Sequence, residues 1–315
     1  MSVSVTTGLQ WFQKPNMYKN WNHKYIDTAE AHTTLNVLNI HTPIRSSPRF
    51  NLTACVSPIF CKNISDLVGI ERNIDDLVEW IETNRVLGVE MFTVYVHSID
   101  VSRRKVLEYY RSLNIMEIVN WTLYEKRPKY PDKPVVEDVF YYEQLAAVND
   151  CLHRNKGRSV HTMMTDLDEI IFPRKDSTLV EMIHRLPDKA VYSFKHALHP
   201  IDSGLTRSNK RGRVHMLNTF LRSRDIHRGY SYSAKLIYKP DLTTKLSIHF
   251  VKATLDYRDT YHVDPETAML HHYRCCKAFP ALTEDRVAEK YIEKVLTNMN
   301  VTFNALGFDT VKLNK

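Results

Sequence analysis

Glycine is scarce in this chain, with 8 residues among 315. Neither G-x-G-x-x-G nor G-x-x-x-x-G-K-[ST] occurs, so the glycine-rich turns that cradle phosphates in dinucleotide-binding and P-loop proteins are excluded. Cysteine is also sparse, at Cys55, Cys61, Cys151, Cys275 and Cys276. No C-x-x-C exists, which argues against a zinc ribbon or a thioredoxin-type centre. No apolar run approaches the ~18 residues that a membrane-spanning helix needs. The first residues, MSVSVTTGLQWFQKPNMYKNWNHKY, lack a charged region followed by an apolar core, so no signal peptide is expected.

What is present is a globular composition, 43% hydrophobic, with a formal net charge of +7. The surplus suits an anionic ligand such as a nucleotide or nucleic acid, and equally plain solubility. Basic residues gather in RSNKRGR (207–213) and RSRDIHR (222–228). Without interleaved aromatics or a zinc motif, these runs make a nucleic-acid-binding protein the weaker alternative. Four N-x-[ST] sequons, at Asn51, Asn63, Asn120 and Asn300, hint at a secretory lumen.

Residues 1–50 are polar and weakly periodic, and they read as an N-terminal arm. From there apolar runs and amphipathic stretches alternate. TACVSPIF (53–60) reads as a strand, and 73–88 as a helix from an Asn73 cap to a closing Gly88. MFTVYV (91–96) is a strand, Ser102 begins a second helix, and 115–121, 138–155, 160–165, 177–186 and 190–196 continue the alternation. This order predicts an α/β domain over 51–280 with a mostly parallel sheet flanked by helices. The second half is less regular: YSYSAKLIYKP and KLSIHFVKATL read as strands, and an amphipathic helix over 282–300 predicts a C-terminal segment, 281–315, packed on the domain.

The chemistry concentrates in HTMMTDLDEIIFP (161–173), where Asp166, Asp168 and Glu169 stand at the end of an apolar strand. Residues two apart on an extended chain point the same way, so Asp166 and Asp168 can aim at one cation while Leu167 faces the core. Two carboxylates do not complete the shell of Mg²⁺ or Mn²⁺, which leaves room for substrate phosphates. Open α/β sheets bind ligands at the carboxyl ends of their strands, where this pair sits. A dehalogenase-type phosphatase fits poorly, because Ile170 stands where that motif needs Thr or Val and a long α/β stretch precedes the motif.

The order of these features is similar to glycosyltransferase family 92. The resemblance is carried by DLVEWIETNRVLGVEMFTVYVHS, EQLAAVNDCLHR, TDLDEIIFP, AKLIYKP, IHFV and HHYRCC, which appear in the family's order over roughly 55–277. It implies a GT-A-like fold with a nucleotide-binding half and a less regular acceptor half. It further implies Mn²⁺ or Mg²⁺, a UDP-sugar donor, and inverting transfer of galactose to a glycan acceptor. Asp166, Asp168 and His272 are the expected metal ligands, with His249 as the competitor to His272. Asp166, Lys235 and Arg274 are expected against the nucleotide diphosphate. Glu169 and Asp225 are the candidate catalytic carboxylates, Asp225 as the base, with Asp202 and Asp256 as alternatives. Asn149 and Asp150 are candidates for contact with the donor sugar, and Cys275 and Cys276 for disulfides. The resemblance also implies a Golgi lumenal protein, attached to the membrane only through an anchor outside this sequence. A catalytically inactive glycan-binding relative is the other alternative.

Overall fold

Strand and helix alternate from residue 50 as the apolar pattern dictates, in a computed structural model that describes residues 47–59, 74–122, 143–201, 214, 216–226, 233–255, 260–275 and 281–308. The first half runs β1 (Phe50–Ile59), α1 (Ile74–Val86), β2 (Met91–Val96), α2 (Val101–Ser112), β3 (Met116–Asn120), α3 (Gln144–Asn155) and β4 (Ser159–Thr165). Then come β5 (Glu169–Pro173), α4 (Leu179–Arg185), β6 (Val191–Phe194), β7 (His196–Ile201) and β8 (Leu221–Ser223). The chain continues through β9 (Lys235–Tyr238), β10 (Thr243–Leu246), β11 (Val251–Thr254), β12 (Thr260–Val263), β13 (Ala268–Cys275), β14 (Leu282–Glu284) and α5 (Ile292–Leu306).

Seven strands form the central sheet in the order β12-β6-β9-β4-β1-β2-β3. Its neighbours are parallel except at β9, which runs antiparallel to both β4 and β6. The expected α/β architecture with a mostly parallel sheet is therefore what the chain adopts. A second sheet of three strands, β5-β13-β7, leans against the end of the first; β13 is antiparallel to β5 and parallel to β7.

α1 departs from a simple amphipathic helix, since Asp75 through Asn84 are all buried. It lies among α2, α5 and the sheet, and its carboxylates are satisfied locally. Glu79 accepts from the backbone N–H groups of Met216 and Leu217 at 3.2 and 2.8 Å. Glu82 accepts from the Tyr110 hydroxyl at 2.7 Å and pairs with Arg85 at 2.8 Å. Burying a carboxylate without such partners is costly, so these bonds are a condition of the packing. α5 covers the same layer with Ile292, Val295, Leu296, Met299, Phe303 and Leu306 buried. Truncating Phe303 there to alanine is expected to cost about 3–5 kcal/mol.

Several boundaries differ from the sequence reading. Asp100, not Ser102, caps α2, its side chain accepting from Arg103 N at 2.8 Å. KLSIHFVKATL is not one strand but the paired strands β10 and β11, joined by a turn in which Ser247 N donates to Phe250 O at 2.8 Å. The helix expected over 282–300 begins later, after β14 and a 3-10 turn at Val287–Tyr291, and runs to Leu306 before Gly307 adopts φ 69°. Among the described residues Cys55 and Cys151 pair, joining β1 to α3. The side chain of Cys275, all of Cys276, and residues 138–142 of the expected α3 lie outside the described residues.

Candidate active site

Topology brings the acidic motif and a lysine together. β9 runs antiparallel to β4, pairing Tyr238 with Thr162 and Ile237 with Met163, so its first residue reaches the carboxyl end of β4. That residue is Lys235, only 3% exposed, and its Nζ lies 2.9 Å from Asp166 Oδ2 and 3.0 Å from Glu169 Oε2. Burial alone would lower its pKa, but the charges of Asp166 and Glu169 outweigh burial and raise it, so Lys235 stays charged.

Asp166 occupies the turn between β4 and β5. Its Oδ2 accepts from Lys235, and Gln144 Nε2 reaches its Oδ1 at 3.4 Å and Ser57 Oγ at 2.8 Å. Burial pushes the carboxyl up, but Lys235 and hydrogen bonding from Ser57 hold it below its ordinary value. With 35% of the side chain exposed, water screens part of that effect. Ser57 and Gln144 were missed as site residues in the sequence. The signal was available, because Ser57 stands at the carboxyl end of β1 and Gln144 begins the helix that leads into β4.

The second sheet supplies the rest. Antiparallel pairing of β5 with β13 sets His272 directly opposite Glu169 and His271 opposite Ile170. Alternation along β13 therefore turns His272 and Arg274 toward the carboxylates and His271 and Tyr273 away. His272 Nε2 lies 3.5 Å from Asp168 Oδ2, and His272 Nδ1 lies 3.6 Å from Glu169 Oε1. Arg274 Nε donates to His272 Nε2 at 2.7 Å and sits 3.8 Å from Asp168 Oδ2. Glu169, 3% exposed, also accepts from Asp166 N at 3.1 Å; burial raises its pKa against the opposing charge of Lys235.

The structure thus gathers Asp166, Asp168, Glu169, Lys235, His272 and Arg274 at one edge. His271 is elsewhere, stacked on the His199 ring at 3.9 Å between centroids. His249 borders the cluster, but its Nδ1 meets the Ala234 carbonyl at 3.2 Å, and burial and then the Lys235 charge lower its pKa. Asp225 is exposed, and among the described residues no hydrogen bond or ion pair joins it to the cluster. Asp202 and Asp256 lie outside the described residues. Asn149 and Asp150 are engaged away from the carboxylates. Asn149 exchanges hydrogen bonds with the Leu246 backbone at 3.1 and 3.0 Å, and Asp150 binds Tyr95 and Arg154 at 2.7 and 2.6 Å.

Carboxylates with an imidazole are a suitable donor set for a divalent cation such as Mn²⁺. His272 Nδ1 is buried without a hydrogen-bond partner, while Nε2 accepts from Arg274. As they stand, the carboxylates are neutralised by Lys235 and Arg274, and among the described residues no three His, Cys, Asp or Glu side chains converge into a ready-made metal shell. The donor types fit a cation; the arrangement requires Arg274 to yield His272 Nε2.

The α/β sheet carries an acidic turn at its carboxyl edge, flanked by a buried lysine and a histidine–arginine strand, and the class of enzyme to which this frame belongs is a glycosyltransferase. The pattern of Glycosyltransferase family 92 matches residues 51–305, from β1 through nearly all of α5, and the chain belongs to that family. It is 26% identical over 256 residues to the beta-1,4-galactosyltransferase galt-1 of Caenorhabditis elegans, an alignment covering 77% of this chain and 54% of that protein. The chain therefore spans about half the length of this relative. Among solved structures, S. aureus TarS 1-349 aligns over 80% of this chain and 65% of its own at 12% identity, with a TM-score of 0.33. HddC from Yersinia pseudotuberculosis aligns over 79% and 99% at 9% identity, with a TM-score of 0.32. At such scores these two likenesses bear on neither mechanism nor substrate.

Proposed function

We propose that this protein is a metal-dependent, inverting glycosyltransferase that moves galactose from UDP-galactose to a glycan acceptor. The observation that carries the reading is the cluster at the carboxyl edge of β4, where Asp166 and Asp168 meet Lys235, His272 and Arg274. Acids for a cation stand there beside bases for a diphosphate. The family and the galactosyltransferase relative favour the same reaction.

Asp168 and His272 would hold Mn²⁺ or Mg²⁺, with Asp166 beside them, and the bound cation would supply charge stabilisation for the diphosphate. Lys235 is preorganised to remain charged, and Arg274 offers a planar fork that matches phosphate oxygens. In the transfer, the acceptor hydroxyl oxygen bonds to the anomeric carbon as the bond from that carbon to phosphate oxygen breaks. UDP leaves with the electron pair, and the hydroxyl proton passes to a base. Making the β linkage in the relative's name from an α-linked nucleotide sugar requires inversion. Asp225, exposed on the segment after β8, is the carboxylate proposed as that base.

A lumenal location is part of this reading. The buried Cys55–Cys151 bond supports it, because disulfides persist in oxidising compartments. No helix among the described residues is long and apolar enough to cross a membrane. Calorimetric titration of UDP with and without Mn²⁺, followed by UDP-release assays with a panel of UDP-sugars and glycans, tests the proposal. UDP should bind more tightly with Mn²⁺, and UDP-galactose should turn over. Equal UDP affinity in EDTA would overturn the metal dependence, and no turnover of any UDP-sugar would overturn the activity.

A further inference from the structure

The N-x-[ST] sequons take no part in the site described above, and the fold distinguishes among them. Asn63 lies outside the described residues. Asn51 is exposed on β1, but the Glu90 carboxylate holds it twice, accepting from its backbone N–H at 2.7 Å and from its Nδ2 at 3.1 Å. Asn300 lies within α5, half-buried between Met299 and Thr302, which face the core. The Thr302 hydroxyl of that sequon is buried 3.2 Å from the Tyr110 hydroxyl and 3.3 Å from Glu82 Oε1, and Asn300 is itself partnered.

Asn120 stands differently. It is the last residue of β3, the outermost strand of the central sheet, and both it and Thr122 are exposed. Trp121 anchors the segment between them. Its N–H donates to Val96 O at 2.8 Å, its carbonyl accepts from His97 Nδ1 at 3.0 Å, and its ring meets Tyr95 edge-on at 5.1 Å between centroids. Successive side chains on an extended chain point to opposite faces, so seating Trp121 on the protein turns Asn120 and Thr122 away from it. Among the described residues no hydrogen bond holds the Asn120 amide. An attached oligosaccharide is bulky and hydrated, and it needs such a surface position in the folded chain.

We propose that Asn120 is an N-glycosylation site, modified in the secretory lumen from a lipid-linked oligosaccharide diphosphate. Asn120 Nδ2 bonds to the anomeric carbon of the oligosaccharide as the bond from that carbon to phosphate oxygen breaks. The lipid diphosphate leaves with the electron pair, and one amide proton passes to a base of the transferring enzyme. The proposal rests on the lumenal reading above. Modification of Asn120 gives up no contact among the described residues, whereas a sugar on Asn51 competes with Glu90 and one on Asn300 with the packing of α5. The position also clears the acidic cluster. β3 is three strands from β4, and spacings of about 4.8 Å put roughly 14 Å between them. The sugar therefore stands at the far end of the carboxyl edge, beside the site and not in it.

The test directs the full chain into the secretory pathway of insect cells behind a cleavable signal and maps its peptides before and after peptide-N-glycosidase. The glycosidase should convert Asn120 to aspartate in the secreted protein. Asn120→Gln should lose one glycan from its mass, and Thr122→Ala, which keeps the asparagine, should lose the same one. An unmodified Asn120 in secreted protein whose Cys55–Cys151 bond has formed overturns the proposal even if no variant folds. So does sugar confined to Asn51, Asn63 or Asn300. The lumenal reading is tested separately, on protein isolated from its own cells. Cys55 and Cys151 found reduced there would overturn that reading, while the capacity of Asn120 to accept sugar in the secreted chain would stand.

Discussion

β13 separates two clusters built from the same residue types. On one face His272 stands with Asp168, Glu169, Lys235 and Arg274; on the other, His271 stands with His199, Tyr273, Asp285, Arg174 and Arg222. The difference is access. Asp166 and Arg274 keep 35% and 48% of their side chains exposed, whereas His199, His271 and Tyr273 are at most 1% exposed. On the sealed face Asp285 is held at 2.7 Å by Arg174 and 3.1 Å by Arg222, a closed arrangement that ties β14 to β5 and β8. Arg222 belongs to one of the basic runs of the sequence, so part of that run is structural. On the open face Arg274 stands where a substrate can reach it, while Lys235 is buried behind Asp166 and Glu169. Residue type does not separate function from packing here; a one-residue step along a strand does.

The largest expected effect would break the comparison at its open side. Asp168→Asn should lower transfer by at least about 100-fold, the upper end of what loss of an outer-shell partner of a metal costs, with the melting temperature nearly unchanged. Steady-state UDP release measures it. Full activity in this variant would remove the open cluster from catalysis.

Next comes the sealed side. Asp285→Ala leaves Arg174 and Arg222 without their shared carboxylate, and breaking a buried pair in this way costs about 3–5 kcal/mol. Urea unfolding should show the loss, while the folded fraction keeps its affinity for UDP. A smaller and sharper contrast is between adjacent residues. His271→Ala removes a ring packed against Phe172 and His199 and should cost about 2–3 kcal/mol of stability, with most activity retained. His272→Ala should do the reverse, abolishing transfer at less than about 1 kcal/mol. Equal effects of the two on activity would refute the division between faces.

Much of this division was legible in the sequence. The alternation of apolar runs gave the parallel core, and the two-residue period of an extended chain separates His271 from His272 once that segment is known to be a strand. What hid the rest was pairing between distant segments. β5 and β13 read as apolar fragments until they are aligned, and only alignment sets Glu169 against His272. α1 looked amphipathic because its buried acids find partners on the 214–217 segment and on α2 and α5, which no local pattern reveals. Cys55 and Cys151 are separated by 96 positions and meet because α3 packs beside β1.

The smallest expected effect is the response of the sealed cluster to pH. Burial, the largest influence, holds His199 down at about 3, and burial together with the neighbouring His199 holds His271 well below its ordinary value. Asp285 opposes the His199 shift and the two arginines reinforce it; the Thr219 backbone approaches without a normal hydrogen bond to either ring nitrogen. A base whose pKa is lower in the folded chain takes up its proton first in the unfolded chain. The contribution to stability is therefore complete above the unfolded value of about 6.5 and is lost as pH falls toward the folded value. Between about pH 7.5 and 5.5 the His199 ring should cost about 1.4 kcal/mol. His161, held at about 4 chiefly by burial, acts in the same direction. Asp285, whose pKa is lowered by its arginines against the effect of burial, titrates below this range and does not interfere. His199→Phe keeps an aromatic ring against His271 and removes one titrating group, so the fall in urea midpoint over this range should become shallower by that amount while the slopes of the transitions stay the same. An unchanged pH dependence would mean that the cluster takes up protons while folded, and the sealed face would then be open to water after all.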